Sequence, residues 1–124
     1  MNRIIIFFFL FNFFYSYSQQ YLPVSNSEVI NHTYYTLSYS EFHEQAEWVH
    51  YKLSPEMING SFKRTNNFRQ DKKVSTGSAS LADYRKSGYE RGHLAPAADM
   101  KLSYNMMSES FLLSNISPQN PSFN

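Results

Sequence analysis

The feature that most constrains this chain is that it is short and contains no cysteine. With no disulfide available, the fold must be held by buried apolar surface alone. At 124 residues there is room for one small domain, domains commonly running to roughly 100 to 150 residues. The working length is shorter still. Met1-Asn2-Arg3 is basic, Ile4 to Phe14 is apolar apart from Asn12, and Ser16-Tyr17-Ser18 ends the run with small residues. That order matches a secretory signal peptide over residues 1–18, with cleavage after Ser18. The apolar run is about half of the roughly 20 residues a membrane span needs, so removal without lasting membrane insertion is expected. An uncleaved tether is the alternative. On this reading the mature protein is secreted, periplasmic or otherwise extracytoplasmic.

Charge narrows the partners. The formal net charge is +1, and losing Arg3 with the signal brings it to zero. Nothing here is a general electrostatic binder of polyanions, and any contact with one must be local.

Residues 19–33 read as a leader, because Pro23, Ser25, Asn26 and Ser27 break any period. Tyr35, Leu37 and Tyr39 then alternate with Thr36, Ser38 and Ser40, the period of a half-buried strand. Val49, Tyr51 and Leu53 alternate with Trp48, His50 and Lys52, and the two runs are expected to pair as an antiparallel hairpin. Asn59-Gly60 reads as a turn built on positive φ. Residues 63–80 are basic and polar and read as a long surface loop anchored by Phe68. Leu81 to Ser87 suggests a helical turn. Tyr104 to Phe111 reads as a short helix capped by Ser103, with Met107 and Phe111 on one face. Phe111 to Ser117 leads into a strand that stops at Pro118.

Chemistry concentrates in Ser87 to Met100, where Glu90, Arg91 and His93 surround Gly92. An imidazole can take a proton near neutral pH, and Leu94-Ala95-Pro96 would place His93 on a buried edge that favours its neutral form. A core histidine bonded to a backbone carbonyl fits the local spacing equally well. Arg91, two residues away, shares its strand face; its fork suits a phosphate or, equally, a salt bridge to Glu90 or Asp99. Ser114 to Asn124 is rich in asparagine and proline, as turns are, yet asparagine oxygens can also hold a hard cation.

Taken together, Glu90-Arg91-Gly92-His93-Leu94-Ala95-Pro96, the later Ser114-Asn115-Ile116-Ser117-Pro118-Gln119 with Asn124 beyond it, Arg64 with Phe68 and Asp71, and Ala82-Asp83-Tyr84 resemble the DNA/RNA non-specific endonuclease family, which includes endonuclease G. The resemblance runs from about Trp48 to Asn124. It implies an α+β fold of the ββα-metal type, with residues 34–124 as an incomplete nuclease domain. It implies a hydrolase that cuts the phosphodiester backbone of DNA and RNA. His93 would be the general base, Arg64 and Arg91 would stabilise phosphate charge, and Asn115 would support the site. Asn124 would ligate Mg²⁺, or Mn²⁺ in its place. Glu90 stands where the family usually has Asp, keeping the charge but moving it by one methylene. In the family the metal-binding asparagine opens a helix, so the chain is expected to be the front part of a domain, with little activity by itself. A catalytically inactive remnant that binds nucleic acid or a protein partner is the second reading.

Overall fold

A computed structural model describes residues 22–124, and the expected signal segment and its cleavage site lie outside them. The fold is α+β. Strands β1 (Glu28–Asn31), β2 (Thr36–Ser40) and β3 (Gln45–His50) form an antiparallel sheet in that order. Short helices α1 (Pro55–Ile58) and α2 (Leu81–Tyr84) follow, then β4 (Glu90–His93), α3 (Tyr104–Glu109) and β5 (Ile116–Gln119). Strands β4 and β5 pair antiparallel as a second sheet. Among the described residues no helix is long and apolar enough to cross a membrane.

The expected hairpin is present, with Leu37 opposite Val49 and a register shift between Ser38 and Tyr39. Leu37 and Tyr39 are fully buried with Ile30, Tyr35 and Val74, and Val49 and Tyr51 pack against them. Leu53 lies beyond the strand and is exposed. The opposite face is covered too, since Ser38 and Ser40 are also buried. The segment read as a leader serves both faces, its Ser25 hydroxyl lying 2.5 Å from that of Ser38. Ile30 sits in β1 and enters the core, and the hydroxyls of Ser25 and Ser27 donate to the Glu47 carboxylate at 2.5 and 2.9 Å. The leader reading failed because four residues of strand carry too little periodicity to show beside a proline and serines.

Residues 63–80 form no helix or strand, as expected, but they are more than a surface loop. Asp71, Val74, Ser78 and Ala79 are buried, and the backbone N–H of Ala79 donates to the Tyr39 hydroxyl at 2.9 Å. Asn59-Gly60 ends α1 without positive φ at Asn59. Glycine is needed there for proximity instead, because a Cβ at position 60 would come within 2.5 Å of the Lys101 backbone. Helix α3 begins as predicted, its Ser103 hydroxyl accepting from the Met106 N–H at 3.2 Å. Pro118 does not stop β5; it lies within the strand opposite Arg91. The sheet has two strands, so the proline can point its missing donor at the open edge.

One buried charge network ties these parts together. His32 Nε2 lies 2.8 Å from the Asp71 carboxylate, with both side chains almost wholly buried. The Ser114 hydroxyl donates to the same Asp71 oxygen at 2.6 Å. Glu109 accepts from the backbone N–H groups of Thr33 and Tyr34 and approaches His32 Nδ1 at 3.8 Å. Burial acts to lower the His32 pKa, but the bonds and charges of Asp71 and Glu109 outweigh it and the net shift is upward. Burial acts to raise Asp71 and Glu109, yet the bonds to His32 and neighbouring donors bring both below their ordinary values.

The linkage has a definite sign. The imidazole contribution is full below its unfolded pKa of about 6.5 and fades as pH rises through the raised folded value. The carboxylate contribution is full above about pH 4 and fades as pH falls through the lowered folded values. Replacing Asp71 by Asn removes the nearer of the two carboxylates facing buried His32, leaving Glu109 at 3.8 Å, and is expected to cost about 3 kcal/mol. In urea unfolding, the gap between wild type and D71N should be widest near about pH 5.5 and shrink toward about pH 9.

Candidate active site

Strand β4 brings the titratable residues to one place, and two phenyl rings fix them there. Phe68 and Phe111 meet edge to face with centroids 4.8 Å apart. His93 packs on both, 4.7 Å from Phe111 and 5.7 Å from Phe68. The Arg64 guanidinium lies over the Phe111 ring at 4.9 Å and the Arg91 guanidinium over the Phe68 ring at 4.2 Å. Strand alternation puts Arg91 and His93 on this face. Gly92 faces the other way, where the Gln119 side chain occupies the space a Cβ would take.

The rings are set by backbone bonds. Arg69 N–H donates to the Phe111 carbonyl at 3.3 Å, and Leu113 N–H donates to the Arg69 carbonyl at 2.8 Å. Phe68 is thereby held beside the end of α3. Phe111 itself is fully buried with Met107 and Ala97.

His93 Nε2 is buried with no hydrogen-bond partner, and no side-chain bond reaches the ring from any described residue. The core-histidine alternative, with its bond to a carbonyl, is thus not what forms. Burial, and then the nearby Arg64 charge, push its pKa down to about 4. The ring is neutral at physiological pH. Neither Arg64 nor Arg91 meets a carboxylate among the described residues; the Asp99 carboxylate accepts instead from the Tyr51 hydroxyl at 2.7 Å.

Asn115 is fully buried. Its amide oxygen accepts from Ala95 N–H at 2.9 Å, and its amide nitrogen donates to the carbonyls of Ala95 and Ser110 at 3.1 and 2.9 Å. It therefore clamps the backbone just past His93 to the end of α3 and has no donor left for a ligand. Glu90 and Asn124 are both exposed, and the Asn124 amide donates to the Glu90 carboxylate at 2.8 Å. Both border an open cleft of about 580 Å³, together with Arg64, Phe68, Arg91 and Tyr89. Of the six expected site residues, Arg64, Glu90, Arg91 and Asn124 line the cleft; His93 does not line it but packs on Phe68, which does, and Asn115 is bonded to the backbone behind. Phe111 and Tyr89 were not read from the sequence as parts of this site. Phe111 was visible only as a helix-face residue, whereas Tyr89 stands at the same two-residue spacing as Arg91 and His93.

Residues 16–124 match the family described as DNA/RNA non-specific endonuclease. The chain belongs to that family. A mitochondrial nuclease EXOG of Danio rerio is 44% identical over 101 residues, which cover 80% of this chain and 29% of that protein. Human mitochondrial endonuclease G is 42% identical over 92 residues, covering 73% of this chain and 31% of that one. A Nostoc nuclease is 36% identical over 106 residues, covering 84% and 36% respectively. Among solved structures, a crystal structure of the EndoG/EndoGI complex superposes with a TM-score of 0.69 at 32% identity, over 77% of this chain and 40% of that one. The α+β arrangement is that of the ββα-metal nucleases. The chain spans about a third of the length of these curated relatives.

These matches correct the expected localisation. EXOG and endonuclease G are named as mitochondrial nucleases, which does not fit the secreted or periplasmic protein read from the N-terminus. A basic and apolar N-terminal run does not by itself name a destination.

Two measurements test this geometry. In an NMR titration the His93 ring should change charge near pH 4, and Arg64→Ala should move that midpoint upward. Asn115→Ala strips partners from three buried backbone groups, each of which costs about 1 to 3 kcal/mol when unpaired, and should show as a lowered unfolding midpoint.

Proposed function

We propose that this chain carries the phosphate-binding and proton-accepting side of a Mg²⁺-dependent endonuclease site acting on the backbone of both DNA and RNA. The observation behind this reading is a neutral histidine flanked by two arginines that have no carboxylate partner, beside an open cleft. Arg91 keeps its whole N–H fork for an anion, and Arg64, whose Nε donates to the Asn66 side chain at 2.8 Å, keeps its terminal nitrogens; a phosphodiester is the anion the family acts on. The donor set suits a hard cation. Asn124 commits its amide nitrogen to Glu90, leaving its carbonyl oxygen without a protein donor among the described residues. No group of three His, Cys, Asp or Glu is gathered to hold a metal among the described residues. Mg²⁺ needs no such cage, because it keeps several waters and takes one or two protein oxygens, and Mn²⁺ accepts similar ligands.

When bound, the ion offsets charge on the phosphate and leaving oxygens. The protein does the rest. Arg64 and Arg91 hold the phosphate, with fixed positive donors aimed where charge develops. His93 Nε2 is enclosed, which leaves Nδ1 as the nitrogen able to take a proton from an attacking water. A bound phosphate also offsets the Arg64 charge that depresses the imidazole, so the base strengthens when substrate arrives. Contact through phosphate, not base edges, accounts for acceptance of both nucleic acids. The second reading, a remnant that binds without cutting, draws on the sparse metal donors at the cleft.

The test is cleavage of supercoiled plasmid and of RNA by the purified chain in Mg²⁺, then in EDTA. Cutting of both substrates should be slow, in keeping with the little activity expected of the front part of a domain, EDTA should stop it, and His93→Ala should reduce it by roughly 100-fold or more. Cutting that survives EDTA, or an H93A variant as fast as wild type, would overturn the assignment. Salt-sensitive binding with no cutting in Mg²⁺ assigns the binding-only role.

A further inference from the structure

Beyond phosphate contact, the cleft has a second wall for which the backbone-only reading has no use. Tyr89 immediately precedes β4 and is 55% exposed. Its hydroxyl and ring make no hydrogen bond, aromatic pair or cation contact among the described residues, although its backbone N–H is fixed by the Ser87 hydroxyl at 3.2 Å. It borders the same cleft as Arg64 and Arg91. Tyr84 lies beside it in the wall, its hydroxyl donating to the Ile116 carbonyl at 3.1 Å, so that ring is tied in place. Past these two tyrosines lies a second hollow of about 670 Å³, also bordered by Ala79 and Pro118. The surface thus changes from guanidinium on one side of Tyr89 to a face without arginine on the other, where Ala79 and Pro118 stand among His43, Glu44, Gln45, Asp83 and Ser87.

We propose that Tyr89 is a base-stacking subsite, so that the cleft holds a nucleotide with its phosphate on Arg91 and its unpaired base on the Tyr89 ring, and thereby favours single-stranded substrate. The inference rests on the phosphate reading above and extends it to the class of strand. A positive groove interleaved with aromatic faces is the arrangement that binds single strands without sequence preference, because every base has a π-face. Residues two apart on an extended strand lie about 7 Å from each other on one side, which separates the anchor for a phosphate from the anchor for a base. A base in a duplex is already stacked and paired, and Tyr89 offers it nothing. A free tyrosine ring also loses little conformational freedom on binding, having two side-chain torsions to fix.

The test uses a short fluorescent single-stranded oligonucleotide and the same strand with a central abasic run, each bound to the full chain in EDTA and low salt. The wild-type chain should prefer the base-bearing strand by roughly ten-fold, the scale of one base on one aromatic ring. Tyr89→Ala should remove that preference while leaving the abasic affinity unchanged, and Tyr89→Phe should keep it. Abasic binding also reports that the variant is folded. A Y89A variant that weakens both strands alike, or neither, overturns the stacking subsite. Arg91→Ala should weaken both strands alike; if it weakens neither, the phosphate reading fails whatever Tyr89 does. No wild-type binding to either strand removes both proposals.

Discussion

The edge-to-face contact between Phe68 and Phe111 is the interaction on which the site depends. Each ring carries one arginine on its face, and His93 packs against both. An arginine over a ring gains about 0.5 to 1 kcal/mol at an exposed site, which is enough to bias its position. A carboxylate would hold it more firmly but would occupy the N–H groups that an anion needs. The rings therefore place positive charge without neutralising it. They also exclude water from the imidazole, which together with Arg64 keeps it uncharged. One aromatic pair sets both the freedom of the arginines and the protonation state of the histidine.

His32 shows what the same side chain does in the opposite surroundings. Its side chain is almost wholly buried, but Asp71 and Glu109 face it, and its pKa moves up where that of His93 moves down. Asp71 in turn accepts from Ser114, and its own backbone N–H is taken by the Ser78 hydroxyl. Every member of that network has a partner, so its work is to join β1, the 63–80 segment and the end of α3. Buried groups that are fully satisfied specify a fold. His93 Nε2 is buried without a partner, as is Trp48 Nε1, and the network stands out against both.

How much of this could be read from sequence depended on whether the signal was local. The β2–β3 hairpin was legible because Leu37, Tyr39 and Val49 alternate with polar residues over a full strand length, and α3 because Ser103 caps it. The strand β1 was hidden by its brevity, and Pro118 misled because a two-stranded sheet leaves it an open edge. At the site, Arg91 and His93 were placed correctly by strand period alone. What period could not show is contact between distant segments. The pairing of Phe68 with Phe111 and the clamp of Asn115 on Ala95 join residues about twenty to forty positions apart through tertiary packing, and no local pattern records such distances. Asp71 looked like one part of a surface motif because its partner, His32, lies on a different strand's flank.

The state of the polar groups around the cleft bears on what such a site can distinguish. Glu90 is engaged by Asn124, the Tyr84 hydroxyl by the Ile116 carbonyl, and Asn115 by two backbone segments. Base edges and the ribose 2′-hydroxyl are told apart by hydrogen-bonding groups set to meet them, and these side chains are already committed. What stays free are the Arg91 guanidinium, the terminal nitrogens of Arg64, whose Nε donates to Asn66, and the ring of Tyr89. Under the function proposed above, the arginines would bind any phosphate and the ring the face of any base. A cleft that commits its directional polar groups to its own chain, and keeps charge and aromatic surface for the ligand, suits a nucleic-acid strand of any sequence or sugar.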